Sequence, residues 1–341
     1  MFRCLALAAT CIGLQLVDPA AFSISDNLPL GLQQATVVQL LKWGLAAWAT
    51  VEANAVLNSF AENRWSRKSD KHEWDWPNEV AVVTGGSAGI GACVVKKLIS
   101  HGIKVAVLDV GPLSSDLTAA DRELIRYYRC DITSQDDIRK AGGAVRSDLG
   151  PPSILINNAG IGNAYTILDI PHETLRRLFD INLISHWSTI QEFLPDMIAK
   201  KKGHVISVAS LASFVALAGA VDYSATKAAL LALHEGLTQE LKHRYKCPQI
   251  KTTIVHPGWT KSAITAHEAI RSGLSQAGAR LLEPEDVAEA MVKQIMAAKS
   301  GQIVLGPAIS PKVRAFPMWL QEIIRDSQAN VVSGSGSTAT T

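Results

Sequence analysis

The sequence predicts an α/β fold, a doubly wound parallel sheet of about seven strands with helices on both faces. Three observations predict it. From residue 79 to about residue 306, short apolar runs rich in β-branched residues alternate with longer helix-like stretches, as expected for strands buried on both faces and joined by helical crossovers. The first run, Val80-Ala81-Val82-Val83, passes directly into Thr84-Gly85-Gly86-Ser87-Ala88-Gly89-Ile90-Gly91, which spaces three glycines between strand and helix. About twenty residues on, a second run, Lys104-Val105-Ala106-Val107-Leu108-Asp109, ends in a carboxylate.

In chain order, residues 1–76 read as an extension that does not share the alternating pattern. Residues 2–17 carry one early basic residue and an apolar run too short to span a bilayer, which resembles a signal-peptide core or a weak anchor. Residues 37–57 read as a helix bearing Trp43 and Trp48 but interrupted by Lys42, Glu52 and Asn54. A charge deep in lipid is costly, so this helix either lies in a membrane interface or packs on the catalytic domain or a partner subunit. Residues 63–76, dense in Arg, Lys, Asp and Trp, read as a polar linker or juxtamembrane stretch.

Residues 77–310 then form the domain of alternating strands and helices. Its predicted strands are residues 80–83, 105–108, 127–130, 154–156, 204–208, 251–255 and 302–305, with helices between them that include residues 225–243 and 285–298. Residues 311–341 hold a short amphipathic helix around Met318-Trp319-Leu320 and Ile323-Ile324, suited to membrane contact, substrate closure or plain packing. The Ser, Gly and Thr-rich tail, residues 332–341, is expected to be disordered.

Composition narrows the function. The 341 residues are 48% hydrophobic and 19% charged, an ordinary globular balance able to bury one large core. A net charge of +2 is too small to indicate nucleic acid, and the basic clusters at residues 64–71 and 200–202 read as solvated surface. Five cysteines, at 4, 11, 93, 130 and 247, show no CxxC spacing, so neither a disulfide framework nor a metal site is expected and a reducing, intracellular compartment fits.

The chemistry begins at the glycine loop. Gly85 permits a tight turn, Gly89 a close backbone approach by a pyrophosphate, and Gly91 close helix packing. Free N–H groups and the partial positive charge of the helix start then face the phosphates. Asp109 is placed to grip the adenosine ribose hydroxyls and to repel a 2′-phosphate, and residues 87–91 contain no Arg or Lys to attract one. NAD(H) is therefore favoured, with NADP(H) as the alternative. A second cluster, Tyr223-Ser224-Ala225-Thr226-Lys227, sets a phenol and an ammonium four residues apart on one helix face. A nearby cation favours the phenolate and would bring Tyr223 toward a value useful for proton exchange. The cluster follows a strand whose C-terminal end carries Ser210, where catalytic groups gather in such sheets.

Together these motifs resemble the short-chain dehydrogenase/reductase family, a Rossmann-type fold, over residues 79–306. The loop from Thr84 to Gly91 is similar to the family's TGxxxGxG, Cys130-Asp131-Ile132 to its adenine-contacting strand end, and Asn157-Asn158-Ala159-Gly160 to its NNAG element. Asn182, Ser210, Tyr223 and Lys227 fall where the family has its catalytic tetrad, and Pro257-Gly258 matches the turn beside the nicotinamide. The resemblance implies that Tyr223 exchanges a proton with the substrate oxygen and that Ser210 hydrogen-bonds the same oxygen. It implies that Lys227 binds the nicotinamide ribose and that Asn182 anchors a water relaying protons to Lys227. Gly85, Ser87, Gly89, Ile90, Gly91, Asp109, Asp131, Ile132, Asn158 through its backbone, Ala159, Gly160, Pro257, Gly258 and Thr260 would hold the cofactor. Ser213 rivals Ser210, and Ser262 stands where the family often has Thr.

Within the family, the motifs and the extension are similar to the retinol and 17β-hydroxysteroid dehydrogenase-like branch and its fungal relatives. That branch implies a hydrophobic alcohol or ketone as substrate, membrane association at the endoplasmic reticulum or lipid droplet, and a homodimer or homotetramer formed through the helices bearing Asn182 and Tyr223. Substrate choice is expected in residues 259–282, with Trp259 and Phe214 as apolar walls. The expected activity is NAD(P)-dependent interconversion of a hydrophobic alcohol and its ketone or aldehyde. A nucleotide-binding redox sensor without turnover is the alternative.

Overall fold

The computed structural model describes residues 34–65, 70–114 and 117–332, and the chain forms two compact units, residues 1–67 and 68–341. The expectations for residues 2–17 and for the tail beyond residue 332 lie outside the described residues. Among the described residues of the first unit, the helix α1 (Gln34–Glu62) runs longer than the expected residues 37–57. Its apolar side chains are exposed on more than one side, Leu40, Trp43, Trp48, Val51 and Leu57 among them. Among the described residues, no helix is long and apolar enough to cross a membrane.

The second unit is built on seven parallel strands in the order β3-β2-β1-β4-β5-β6-β7. They are β1 (Val80–Thr84), β2 (Lys104–Asp109), β3 (Ile125–Arg129), β4 (Ile154–Asn157), β5 (His204–Val208), β6 (Lys251–Pro257) and β7 (Gly301–Leu305). Every residue of β1, β4, β5 and β6 is buried, because helices cover both faces. On one face, α2 (Gly89–Ser100) and α10 (Pro284–Met296) bring Val94, Leu98, Val287, Met291 and Ile295 against the sheet. On the other, α4 (Gln135–Asp148), α6 (Ser185–Lys200) and α7 (Val221–His243) bring Ile138, Val145, Phe193, Met197 and Leu241. The strand order reverses at β1, whose neighbours β2 and β4 diverge. A crevice opens at the C-terminal strand ends there, the usual ligand position in such sheets.

Several elements depart from expectation by more than a frayed end. The third strand covers residues 125–129 rather than 127–130, because a short helix α3 (Ala119–Leu124), capped by Thr118, delivers the chain into register at Val105↔Ile125. The last long helix of the site starts at Val221 rather than residue 225, so Tyr223 and Lys227 both lie within α7. Residues 70–76, expected as part of a polar linker, dock on the sheet instead. Trp74 is 7% exposed in the apolar layer and stacks on Trp76 with ring centroids 5.0 Å apart. Around it, Lys251 pairs with Asp70, and Lys202 donates to the buried Glu79 carboxylate at 2.6 Å while its ammonium lies 5.5 Å from the Trp74 ring. Burying the Trp74 indole, with Trp76 half-buried against it, outweighs the polarity of their neighbours.

Candidate active site

The glycine loop connects β1 to α2 across the top of the sheet. Gly85 has φ +64°, and a Cβ there would lie 2.9 Å from the Ala159 Cα. At Gly91 a Cβ would meet the Gly85 carbonyl oxygen at 2.0 Å, so only glycine lets the helix start fold back on the turn. Gly89, with φ +53°, borders open space. The residue before α2 is Ala88, which makes no side-chain cap bond, so the first-turn N–H groups are left for a ligand.

Internal bonds hold this loop in shape. Asn158 Nδ2 donates to the carbonyls of Thr84 at 3.1 Å and Gly85 at 3.0 Å. The Asn158 and Ala159 N–H groups both donate to Thr84 Oγ1, at 3.1 and 3.2 Å. Asp109 Oδ2 accepts from the Ser87 N–H at 2.9 Å, and Oδ1 from the Gly111 N–H at 3.0 Å, while Ser87 Oγ donates to the Gly111 carbonyl. The Asn158 N–H is therefore bonded to Thr84, and the residue also borders the cavity. Asp131 forms a local turn, accepting from the Thr133 N–H and hydroxyl at 2.9 and 2.8 Å.

A single cavity of about 710 Å³ runs along the strand ends. Gly85, Gly89, Ile90, Asp109, Asp131 and Ile132 line one end, with Asn158, Ala159 and Gly160 between. Ser210, Tyr223, Lys227, Pro257, Gly258 and Thr260 line it further along. Ser87 and Gly91 support the loop from behind. Asn182 also stands behind the wall. It sits fully buried in a π-helical turn, Asp180–Ile184, accepting from the Ile161 N–H at 2.8 Å and donating to the Ile161 carbonyl at 2.9 Å. A Cβ on Gly160 would lie 3.4 Å from Asn182 Oδ1 and 3.5 Å from Lys227 Nζ, which places those two groups side by side.

The two serines are distinguished by what they face. Ser213 is fully buried and donates to the Lys227 carbonyl at 2.8 Å, whereas Ser210 borders the cavity and accepts from the Ala212 N–H. His256 fixes Ser210 from below. Its Nδ1 is 3.0 Å from the Ser210 carbonyl, the arrangement of a donating N–H, and its Nε2 is 3.1 Å from Gln302 Nε2. Phe214, expected as a cavity wall, packs on the His256 ring at 4.5 Å instead. Burial pushes His256 down to about 4 and the enclosed His186 down to about 3, so neither imidazole is charged near neutral pH.

Tyr223 and Lys227 meet as the spacing predicts, but their electrostatics differ from expectation. Lys227 Nζ lies 5.5 Å from the Tyr223 ring centroid and donates to the Val208 carbonyl at 2.9 Å. Burial pushes the phenol above its ordinary value, and only the Ser210 hydroxyl acts against this. Lys227 itself is pushed down to about 8 by burial. Desolvation, absent from any reading of spacing, dominates both groups. Ile324, of the late helix for which substrate closure was one expected role, lines the cavity, while Arg177 of α5 (His172–Phe179), Ile309, Val313, Gln328 and Val332 went unrecognised in the sequence. Their positions depend on long-range packing.

A doubly wound sheet, a turn closed to any Cβ at Gly85 and Gly91, and a phenol, a hydroxyl and an ammonium on one cavity are suited to holding a dinucleotide beside a group able to exchange a proton. The chain belongs to the short chain dehydrogenase family, whose model matches residues 79–271, and is by that membership an NAD(P)-dependent oxidoreductase. It is 35% identical to "Dehydrogenase RED2" of Cochliobolus heterostrophus, over 75% of this chain and 94% of that protein. It is 29% identical to human "Epidermal retinol dehydrogenase 2", over 72% of this chain and 78% of that protein. Among solved structures, a metagenomic short-chain oxidoreductase in complex with NADP is 27% identical with a TM-score of 0.54, over 68% of this chain and 97% of that one. A short-chain dehydrogenase from Streptomyces avermitilis, 24% identical, shares the fold with a TM-score of 0.62 over 73% of this chain and 98% of its own.

Proposed function

We propose that the protein interconverts a hydrophobic alcohol and its ketone or aldehyde, with NAD(H) as the preferred cofactor. The observation that carries this reading is that Tyr223, Ser210 and Lys227 share one cavity with the glycine cradle, and that the same cavity is walled by Leu217, Ile264, Ile270, Val313 and Ile324. The first-turn N–H groups of α2 would take the pyrophosphate, Asp109 the adenosine ribose, and Lys227 the nicotinamide ribose. The bound nicotinamide supplies or accepts the hydride.

Tyr223, kept protonated by burial, donates its phenolic proton to the carbonyl oxygen in the reductive direction. Ser210 hydrogen-bonds that oxygen and stabilises the charge developing on it. Asn182 acts through Ile161, whose N–H and carbonyl it clamps beside Gly160 and Lys227. The preference for NAD(H) is supported by the Asp109 carboxylate at the cavity edge and by the position of the cationic side chains lining the cavity, Arg177 and Lys227, on α5 and α7 rather than beside β2. Self-association through the helices bearing Asn182 and Tyr223 is supported by the half-exposed Ile184, at the end of the π-helical turn, and Trp187 of α6, and contact with a membrane surface by the exposed indoles of α1.

The test is Tyr223→Phe assayed with NADH and a panel of lipophilic ketones. Turnover should fall by about 10²- to 10⁴-fold while NADH affinity is unchanged. Reduction at the parent rate would overturn the assignment.

A further inference from the structure

Part of the cavity wall comes from chain beyond the family match. Val313, Ile324, Gln328 and Val332 line the same space as Tyr223, although the matched residues end at 271. Ile324 lies on α11 (Met318–Asp326). After that helix the chain turns back to bury Val331 and Val332. These two valines join Ile270 and Leu274 of α9 (Glu268–Gln276), with Ala164 and Ala220, in a small apolar cluster against which Tyr223, Trp259 and Ile264 also pack.

The docking is close because residue 273, inside α9, is glycine. A Cβ there would lie 2.1 Å from the Val331 carbonyl oxygen, 2.8 Å from its carbonyl carbon and 3.3 Å from the Asn330 oxygen. Gly273 is not among the residues with positive φ, so its backbone does not require glycine. Glycine weakens a helix interior, and here it makes room for the passing main chain.

Resting on the reading of this cavity as a substrate chamber, we propose that residues 328–332 form a strap, latched over Gly273, that sets the chamber's length. Val332 and Ile324 then meet the end of the substrate's apolar chain remote from the reacting carbon. The strap and α9 share one apolar cluster, so loosening the latch opens the chamber at that end and leaves the cofactor cradle intact.

The test uses the full chain, as wild type and as Val332→Ala, Val332→Phe and Gly273→Ala, with NADH and a homologous series of straight-chain methyl ketones. Wild type should show a preferred length, with kcat/KM falling about tenfold or more per methylene beyond it. Val332→Ala should move the optimum to longer ketones and Val332→Phe to shorter ones. Gly273→Ala should flatten the profile, and NADH affinity should be unchanged in all three. Superimposable length profiles at equal NADH affinity would overturn the proposal. Hydrogen exchange gives a readout without turnover: Gly273→Ala should raise exchange in residues 328–332 by roughly tenfold and leave β1 protected. Unchanged exchange there would also overturn it. Wild type that binds NADH yet reduces no ketone counts against the proposed function alone, and the latch is then decided by exchange.

Discussion

Lys227 offers the sharpest quantitative test of the site, through stability rather than turnover. Its ammonium is enclosed, donates to the Val208 carbonyl at 2.9 Å, and is held by burial at about 8, against 10.5 for an ordinary lysine. The unfolded chain keeps this proton up to its ordinary value, whereas the folded chain releases it near 8. Between those values the unfolded state binds more protons, so stability owed to this residue rises with pH. At 1.36 kcal/mol per tenfold, the charged side chain costs the fold about 3 kcal/mol near pH 7.5 and about 1 kcal/mol near pH 9.5. Lys227→Met keeps the stem and removes the charge. Losing the bond to Val208 adds an offset that does not vary with pH. Denaturant unfolding of both proteins at the two pH values, at matched ionic strength, should therefore show wild type gaining about 2 kcal/mol on the variant. Other titrating groups cancel in the difference. A difference that is flat, or that moves against wild type as pH rises, would refute a desolvated ammonium at this position.

Other substitutions probe the cradle and the docked segment. Gly91→Ala places a methyl group 2.0 Å from the Gly85 carbonyl oxygen and should weaken NADH binding by more than roughly tenfold by fluorescence titration. Asp109→Ala removes the acceptor of the Ser87 and Gly111 N–H groups and should lower the NADH-over-NADPH ratio of kcat/KM by roughly tenfold. A parent enzyme that already prefers NADPH would contradict that reading. Trp74→Ala should lower stability by about 3–5 kcal/mol and leave NADH affinity unchanged, as followed by denaturant unfolding and titration.

What could be read from the sequence is what depends on neighbours along the chain. The strand-to-helix turn from Val80 to Gly91 declares itself because its glycines are needed within that turn: Gly85 for its φ, and Gly91 for its contact with Gly85. Tyr223 and Lys227 were legible as a pair because helical periodicity alone brings them to one face. Harder cases depend on distant partners. Asn158 reads as a backbone contact to the cofactor, and that its side chain bonds to the Thr84 and Gly85 carbonyls is a second role that no local pattern names. Phe214 reads as an open wall until His256 is seen to cover it. Trp74 sits among charges in the sequence and under the sheet in the structure, because what decides its burial is supplied by chain far away. The strap over Gly273 had no local signal, since a lone glycine in a helical stretch names no partner.

The acidity of the phenol belongs to the same class of problem and bears on mechanism. Spacing gives the distance between Tyr223 and Lys227 but not the solvent each has lost. In this cavity both groups are disfavoured in their charged forms, the phenolate and the ammonium alike. Under the proposed function, a site that resists charge would hold the proton on oxygen until a carbonyl approaches with Ser210 beside it. Proton donation would then be coupled to the step that creates negative charge on the substrate, and the same burial that raises the phenol would strengthen the hydrogen bonds that receive that charge. Oxidation would require the phenolate first, against desolvation, so the protonation state of the free enzyme at neutral pH is the one poised for reduction.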